Sequence, residues 1–248
     1  MNGIFYGIGV GPGDPELMTL KAVRIIRQCQ VTAIPVSDSS LDKVIYEEEG
    51  TSSRFPEYLK KCAAYQIAQA AVPELEEKGR LYLPMPMIKD KSRLKEIHDL
   101  CAAKTKELLD TGKSVSFITL GDPSIYSTCL YVHQRLKKLG CTTKLVPGIP
   151  SFCAAAAKLD MGLVENSDEL HVIPASYEIE ESLELPGTKV LMKAGKKMPY
   201  VKRTVQEKGL RAEMVENCGM RSERIYHSVE DVPEEAGYYS LMIVKEGK

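Results

Sequence analysis

Residues 7–15 read Gly-Ile-Gly-Val-Gly-Pro-Gly-Asp-Pro, a glycine-rich turn between two regular segments. The apolar run before the turn, Ile4 to Val10, predicts a strand, and Asp14 followed by Pro15 predicts a helix start with Asp as the N-cap. Apolar residues at helical spacing follow, and a second apolar run, Val31 to Val36, predicts the next strand. Strand, helix and strand in this order form a β-α-β unit, which requires parallel strands.

The alternation of strands and helices continues through the first half of the chain and then changes. In the first half, the predicted helices are 56–71, 91–109 and 124–139, and the predicted strands are 81–84, 114–120 and 144–146. A helix at 149–159 leads into a strand-rich half, with strands at 169–173, 189–193, 211–216, 224–228 and 238–244 and one helix at 199–208. We therefore predict an α/β fold with an N-terminal α/β domain at 1–147 and a C-terminal α/β domain with a mixed sheet at 148–248.

The composition limits the classes of function. Of the 248 residues, 44% are hydrophobic and 27% are charged, as in ordinary globular proteins. The chain has 33 Lys and Arg against 34 Asp and Glu, so it lacks the positive field that binds nucleic acid without sequence preference. Trp is absent and only four Phe are present, which leaves few side chains on which bases could stack.

The cysteines, apolar runs and histidines argue against export, membrane insertion and metal binding. Seven cysteines without a C-x-x-C pair predict reduced thiols in a cytoplasmic protein. No membrane span or export signal is predicted, because apolar runs are short and the N-terminus is rich in glycine. The four histidines show no i, i+4 pairing, so no metal site is predicted.

The glycine-rich turn does not match the known phosphate-binding loops. Counted from Gly7, the last position of a G-x-G-x-x-G motif falls on Pro12, and counted from Gly9 it falls on Asp14. No Gly-Lys-Ser/Thr follows, and Asp14 would repel a phosphate at the predicted helix start. The turn is therefore either a site where a ligand without a diphosphate approaches the backbone closely or only a tight strand-to-helix connection.

Two later strand ends repeat this design. Gly121-Asp122-Pro123 follows the predicted strand 114–120, and Pro147-Gly148-Ile149 follows 144–146. Open α/β sheets bind ligands at the carboxyl ends of their strands, so the three loops predict one crevice. In it, Gly121 permits close approach, and Asp122 offers an acceptor for a cation or a hydroxyl group. Taken alone, Gly-Asp-Pro is also typical of a capped turn.

Together these motifs resemble the tetrapyrrole methylases of the corrin and sirohaem pathways. The resemblance spans essentially the whole chain and rests on Gly9-x-Gly11-Pro12-Gly13-Asp14-Pro15, Leu20-Lys21-Ala22, Gly121-Asp122-Pro123 and Pro147-Gly148-Ile149 before an Ala-rich helix. Five further segments are most similar to the branch that methylates carbon 20 of precorrin-2: 33–37, 127–128, 151–155, 193–196 and 216–219.

The resemblance implies a two-domain α/β fold of the class III methyltransferases that depend on S-adenosylmethionine (SAM), with the cofactor cleft between the domains. It also implies a cytoplasmic homodimer that acts on a small-molecule tetrapyrrole and on neither nucleic acid nor membranes. The implied SAM contacts are Pro12, Leu120, Gly121, Asp122, Ile125, Pro150, Ser151, Met192, Lys193, Cys218 and Gly219. The candidate substrate contacts are Gly9, Gly11, Pro35, Lys196 and Lys197.

No catalytic residue or metal is predicted. Uroporphyrinogen methylases carry an acidic residue near the end of the second strand, proposed as a base, and Pro35 aligns with that position here. Transfer of a methyl group from a sulfonium to an electron-rich carbon chiefly requires alignment, which lowers a barrier by about 7–11 kcal/mol. Water or a carboxylate of the substrate could then accept the proton from the methylated carbon.

The carboxylates of a tetrapyrrole require nearby cations. The densest loop cluster is Lys193, Lys196 and Lys197, which could equally be an ordinary solvated loop. A second candidate cluster is Lys89, Lys91 and Arg93, at the start of an amphipathic helix whose wet face often carries such residues.

We therefore expect a SAM-dependent C-methyltransferase acting at carbon 20 of precorrin-2 or its cobalt complex in cobalamin synthesis. Three alternatives within the same fold remain: methylation of another tetrapyrrole position, of a ribosomal RNA ribose, or of the modified histidine of elongation factor 2. The near-zero net charge disfavours RNA. A nucleotide-binding regulatory module without catalysis is the alternative from another class.

Overall fold

The computed structural model describes residues 2–246. The chain divides into two compact units, one that ends at Ile149 and one that begins at Pro150. The boundary predicted from the sequence lies two residues earlier, after residue 147.

Unit 1 is a six-stranded sheet with helices on both faces. Its strands are β1 Phe5–Gly9, β2 Val31–Val36, β3 Ile45–Glu47, β4 Gly79–Pro84, β5 Val115–Thr119 and β6 Thr143–Val146, in the order β3-β4-β2-β5-β1-β6. Its α-helices are α1 Leu20–Gln28, α2 Pro56–Lys61, α3 Ala63–Ala71, α4 Lys91–Asp110 and α5 Cys129–Lys138. All strand pairs are parallel except β3 with β4, which confirms the predicted β-α-β unit.

Both faces of this sheet are buried, as is usual for parallel sheets. Ile8 and Ile34 belong to the hydrophobic cluster on one face, and Phe5 and Phe117 belong to the cluster on the other. The near-continuous apolar runs of the central strands follow from this arrangement, because helices cover both faces of the sheet.

Two helices begin later than predicted. Asp14 caps only a 3-10 turn, Pro15–Leu17, and α1 starts at Leu20 with Thr19 as the N-cap, its hydroxyl accepting from the Ala22 N–H at 3.1 Å. The sequence prediction of an α-helix starting at Asp14 is therefore wrong, because the chain leaves the helical region at Met18.

The helix predicted at 124–139 starts only at Cys129, since the preceding residues form a turn in which Tyr126 has a φ of +48°. The helix predicted at 56–71 is two helices, α2 and α3, separated at Cys62, whose φ and ψ of −87° and 99° are not helical. The short strand β3 is absent from the prediction.

Unit 2 contains the predicted mixed sheet. Its strands are β7 Leu170–Pro174, β8 Thr188–Met192, β9 Arg211–Glu216, β10 Arg224–Tyr226 and β11 Ser240–Lys245, in the order β10-β9-β11-β8-β7. Its α-helices are α6 Ser151–Lys158, the unpredicted α7 Glu180–Leu183 and α8 Met198–Glu207. Within the described part of unit 2, β7 and β8 are the only parallel neighbours.

None of the helices within residues 2–246 is long and apolar enough to cross a lipid bilayer.

Candidate functional site

The sheet of unit 1 has a switch point between β1 and β5. These strands are neighbours, yet the chain leaves β1 towards β2 on one side and leaves β5 towards β6 on the other. Each connection crosses the other strand, because β5 lies between β1 and β2 and β1 lies between β5 and β6. The loops that leave the two strands lie at the carboxyl edge of the sheet, where open α/β sheets usually bind ligands. The glycine-rich turn and the Gly-Asp-Pro loop follow these two strands.

The backbones of these two loops are hydrogen-bonded to each other. The Gly11 N–H donates to the Gly121 carbonyl at 3.3 Å, and the Gly121 N–H donates to the Gly11 carbonyl at 2.8 Å. Both glycines have left-handed φ angles, +78° and +69°, which glycine adopts without strain. The two loops thus form a short antiparallel bridge just beyond the sheet.

The loop after β6 packs directly against this bridge. A Cβ atom on Gly148 would lie 2.2 Å from the Gly121 carbonyl oxygen and 2.8 Å from the Gly9 carbonyl carbon. A Cβ atom on Gly9 would lie 2.4 Å from the same Gly121 oxygen. Close packing of the three loops therefore requires glycine at positions 9 and 148, independently of any ligand.

The Asp122 carboxylate fastens the third loop to the second. Its Oδ2 accepts from the Gly148 N–H at 2.9 Å, and its Oδ1 accepts from the Ser124 N–H at 2.8 Å and from the Ser124 hydroxyl. Both oxygens of this buried side chain are engaged within unit 1. The interpretation of Asp122 as a free acceptor for a ligand therefore does not describe its side chain, which instead holds the loops together.

A buried pair of hydroxyl groups supports the Gly-Asp-Pro loop. Thr119 Oγ1 lies 2.8 Å from Ser127 Oγ, and Ser127 Oγ accepts from the Cys129 N–H at 3.2 Å. Thr119 and Ser127 lie on either side of the loop and join its two ends. Sequence reasoning did not identify this pair, although hydroxyl residues that flank a Gly-Asp-Pro loop offer a signal for it.

All SAM contacts predicted for unit 1 lie in or beside the two bridged loops: Pro12, Leu120, Gly121, Asp122 and Ile125. Of the predicted substrate contacts, Gly9 and Gly11 also lie there, and half-buried Pro35 lies near the end of β2, the strand next to β5. Loops 9–14 and 121–126 contain only two charged residues, Asp14 and Asp122, both acidic. This charge suits a ligand with a positive group and disfavours a diphosphate.

In unit 2, two predicted segments leave the sheet at the same edge. Met192 at the end of β8 pairs with Leu241, and Glu216 at the end of β9 pairs with Ser240, so both strands end beside the start of β11. Lys193 follows Met192 with a left-handed φ of +60°, and burial lowers the pKa of its ammonium group. The predicted contacts Cys218 and Gly219 follow the end of β9 at this edge, whereas Pro150 and Ser151 begin α6, which contacts β9 and β11.

The turn that contains Cys218 and Gly219 is held by an ion pair that sequence reasoning missed. Glu223 Oε2 accepts from the Gly219 N–H at 2.6 Å, and Glu223 Oε1 lies 3.2 Å from Lys158 Nζ at the end of α6. Burial raises the pKa of the Cys218 thiol to about 11, so this group is protonated at neutral pH. Cys218 is buried in this turn.

The predicted substrate lysines of unit 2 lie on an exposed 3-10 turn, Gly195–Lys197. Lys196 and Lys197 are both exposed, and the Lys197 ammonium lies 5.6 Å from the centre of the Tyr200 ring. Within residues 2–246, no three His, Cys, Asp or Glu side chains are arranged to hold a metal ion.

Together these features define an α/β protein in which the loops after β1, β5 and β6 pack together at the carboxyl edge of the unit 1 sheet. The family model for Tetrapyrrole (Corrin/Porphyrin) Methylases matches residues 5–233, and the chain belongs to this family. It is accordingly a methyltransferase, and the methyl donor of the family is SAM.

Individual relatives carry more specific names. A probable cobalt-precorrin-2 C(20)-methyltransferase of Methanocaldococcus jannaschii is 36% identical over 76% of this chain and 71% of its own. The precorrin-2 C(20)-methyltransferase of a Sinorhizobium species is 28% identical over 98% of this chain and 95% of its own. The uroporphyrin-III C-methyltransferase of Thermus thermophilus, solved with S-adenosyl homocysteine, has the same fold, with a TM-score of 0.67 at 18% identity, covering 98% of this chain and 97% of its own.

Proposed function

We propose that this protein transfers a methyl group from SAM to carbon 20 of precorrin-2 or of cobalt-precorrin-2 in cobalamin biosynthesis. The observation that carries the substrate assignment is the 36% identity to the Methanocaldococcus protein over 188 residues. The acidic, bridged loops at the β1/β5 switch point support SAM as the ligand there, because a sulfonium is positively charged.

The proposed SAM contacts fall into two sets that require separate tests. In unit 1 they are Pro12, Leu120, Gly121, Asp122 and Ile125, and in unit 2 they are Pro150, Ser151, Met192, Lys193, Cys218 and Gly219. Because the Asp122 carboxylate is engaged by Gly148 and Ser124, we assign its contact with SAM to the backbone. Gly9, Gly11, Pro35, Lys196 and Lys197 are the proposed substrate contacts.

The chemistry requires little from side chains. SAM supplies a methyl group on a good leaving group, and the chain's task is to align that group with the substrate carbon and to exclude water. Alignment of this kind lowers a barrier by about 7–11 kcal/mol. Rigid backbone contacts such as the Gly11–Gly121 bridge suit this role, and Pro35 provides no base at the end of β2.

We further propose that the protein works in the cytoplasm as a homodimer. Its seven cysteines are free thiols, five of them buried, as is usual in a reducing compartment. Homodimers are also the commonest oligomers of soluble proteins. Sedimentation equilibrium measures the oligomeric state directly, and a monomer at micromolar concentration would refute the dimer.

The decisive experiment is incubation with methyl-labelled SAM and precorrin-2, with and without cobalt, followed by NMR location of the new methyl group. We expect the label at carbon 20. A label at another carbon would assign the protein to a different tetrapyrrole methylase, and label only in ribosomal RNA or in elongation factor 2 would refute a tetrapyrrole substrate. Gly121→Arg fills the proposed cofactor site and should abolish both transfer and SAM binding, whereas a fully active variant would refute that site.

A nucleotide-binding module without catalysis predicts a different result. Equilibrium dialysis with SAM, ATP and NAD distinguishes it, because the acidic loops should bind only the first of these. Binding of ATP or NAD with no binding of SAM would overturn the proposal.

A further inference from the structure

The loop between β4 and α4 presents apolar side chains to solvent at the same edge of the sheet as the proposed SAM site. The Met85 N–H donates to the Val36 carbonyl at 2.7 Å, so the loop starts beside the end of β2. Beyond buried Met85, Met87 is 70% exposed and Ile88 is 39% exposed. Large apolar side chains exposed together in this way commonly mark a binding surface.

The strand order places this loop beside the end of β2, where the proposed substrate contact Pro35 lies. The strands run β4, β2, β5, β1, and all four are parallel. Neighbouring strands lie about 4.8 Å apart, so the end of β4 is roughly 10 Å from the end of β5. A flat ligand that extends from the Gly-Asp-Pro loop across Pro35 would therefore reach Met87 and Ile88.

Two cations accompany the apolar pair. Lys89 and Lys91 are exposed, and neither has an acidic partner within 4 Å among residues 2–246. The third cation of this segment, Arg93, is paired with Glu96 at 3.2 Å. Lys91 lies in the first turn of α4, where the helix dipole disfavours cations. Asp90, the N-cap between the two lysines, is engaged by the N–H groups of Ser92 and Arg93, so the two ammonium groups are left for an anionic ligand.

We propose that residues 87–91 form a tetrapyrrole-binding platform, in which Met87 and Ile88 contact the face of the macrocycle and Lys89 and Lys91 bind its carboxylates. A tetrapyrrole is apolar on its faces and carries carboxylates at its rim, which matches an apolar pair flanked by unpaired cations. The platform rests on the proposed function, since it extends the substrate site from Pro35 to the next strand. It adds a contact surface in unit 1 to the lysines proposed in unit 2.

The charge test is the double variant Lys89→Glu/Lys91→Glu, compared with Lys137→Glu/Lys138→Glu. The control lysines end α5, which runs from the carboxyl edge of the sheet back to the start of β6, so they lie at the opposite edge. Both are exposed, and neither forms an ion pair with an acid in the described part of the chain. We expect the first variant to raise the KM for precorrin-2 by roughly tenfold, with the SAM Kd and kcat unchanged and the effect reduced by added salt.

The apolar test is Met87→Ser/Ile88→Ser, with Leu139→Ser as the control. Leu139 is 50% exposed and follows the end of α5, again at the opposite edge. Removing two apolar side chains from a ligand contact weakens binding, so we expect the KM for precorrin-2 to rise at least about tenfold in the double variant. The control should change the KM by less than twofold.

The outcomes separate the platform from the function on which it rests. Unchanged KM values in both platform variants, with an active wild-type protein, would overturn the platform alone. A change in sedimentation with unchanged KM would also overturn it, because a second copy of the chain would then cover the loop. A wild-type protein that binds SAM but shows no affinity for any tetrapyrrole would overturn the proposed function and the platform together.

Discussion

The loops at the strand ends of unit 1 and unit 2 are fixed by different forces. In unit 1, the backbones of three loops contact one another at Gly9, Gly121 and Gly148, and positions 9 and 148 have no room for a Cβ atom. In unit 2, the turn at Gly219 is held by the Glu223 carboxylate, itself paired with Lys158. The first arrangement is steric and the second is electrostatic, so substitutions and solution conditions should affect them differently.

The largest effect should come from Gly148→Ala. The three atoms nearest to the added methyl group all belong to backbone, at 2.2 to 2.9 Å, and backbone cannot rotate away as a side chain can. We expect a loss of about 3 kcal/mol in the free energy of unfolding and the loss of measurable SAM binding. Urea unfolding and SAM titration of the purified variant measure the two quantities.

Gly140→Ala is the matched control for this steric comparison. Gly140 has a φ of +77°, but no atom lies within 4 Å of the added Cβ, so only backbone strain of about 1–2 kcal/mol is expected. SAM binding should be unchanged. If Gly148→Ala is no more harmful than Gly140→Ala, close loop packing does not hold the site of unit 1.

Asp122→Asn should have the next largest effect. The two oxygens of the Asp122 carboxylate accept from the N–H groups of Gly148 and Ser124, one each. Asn has only one side-chain oxygen, and its NH2 group cannot accept a hydrogen bond, so one of the two N–H groups loses its acceptor. An unsatisfied buried donor costs about 1–3 kcal/mol, so we expect a loss of about 2 kcal/mol and weaker SAM binding.

Asp90→Asn provides the comparison for Asp122→Asn. Asp90 Oδ1 accepts from Ser92 and Arg93 at the exposed start of α4, and Asn is as good an N-cap as Asp. Asp90→Asn should lower the free energy of unfolding by less than about 0.5 kcal/mol. Equal losses in the two variants would contradict the role of Asp122 as a link between loops.

The unit 2 side of the comparison is tested by Glu223→Ala. The variant removes the acceptor of the Gly219 N–H, so the turn is less ordered, and a contact of this kind is worth about 1 kcal/mol. We expect the KM for SAM to rise about fivefold with kcat unchanged. Glu223→Gln keeps an acceptor and should recover most of the affinity.

Glu207→Ala, which removes only an exposed partner of Arg203 at 4.0 Å, should leave the KM for SAM unchanged. A fall in kcat at constant KM in Glu223→Ala would argue against a positioning role for Glu223. If Glu207→Ala raises the KM for SAM as much as Glu223→Ala does, the effect comes from the loss of any surface carboxylate and not from the turn at Gly219.

The elements of the fold that could be predicted from sequence are those whose signal is local. Apolar runs that end in Gly or Pro identified the strands beside the site, and the β1-α1-β2 unit is confirmed. Strand β3 was missed because its recognition depends on tertiary partners. Glu47 on this strand is buried, and its carboxylate accepts from the Tyr82 hydroxyl at 3.0 Å and the Arg54 N–H at 2.8 Å.

The same distinction applies to the site. The glycine and Gly-Asp-Pro motifs predicted that the loops after β1 and β5 lie together, since parallel neighbours end at one edge. The role of the Asp122 side chain could not be predicted, because its partner Gly148 lies 26 residues away along the chain. The helix start at Leu20 was misplaced because Asp14 and Thr19 are both good caps, and local sequence does not decide between them.

The smallest predicted effect is a loss of stability at low pH that is caused by histidines of unit 1. In unit 1, burial lowers the pKa of His98, with the positive charge of Arg135 as the next contribution, and burial likewise lowers the pKa of His133. The unfolded chain therefore binds these protons more readily than the folded chain does. The contribution of the neutral histidines to the free energy of unfolding is complete above pH 6.5 and is lost as the pH falls towards their lowered pKa values. The slope cannot exceed about 1.4 kcal/mol per pH unit for each proton.

His98→Phe removes one such proton while keeping an aromatic ring on Tyr131, against which His98 stacks at 4.6 Å. Urea unfolding at pH 8 and pH 5 should show a smaller loss of stability in this variant than in the wild-type protein. His227→Gln, which replaces an exposed side chain of unit 2 lying 3.1 Å from Glu213, is the matched control. If His98→Phe and the wild-type protein lose the same stability, His98 does not contribute to the acid sensitivity, which then comes from other groups such as His133.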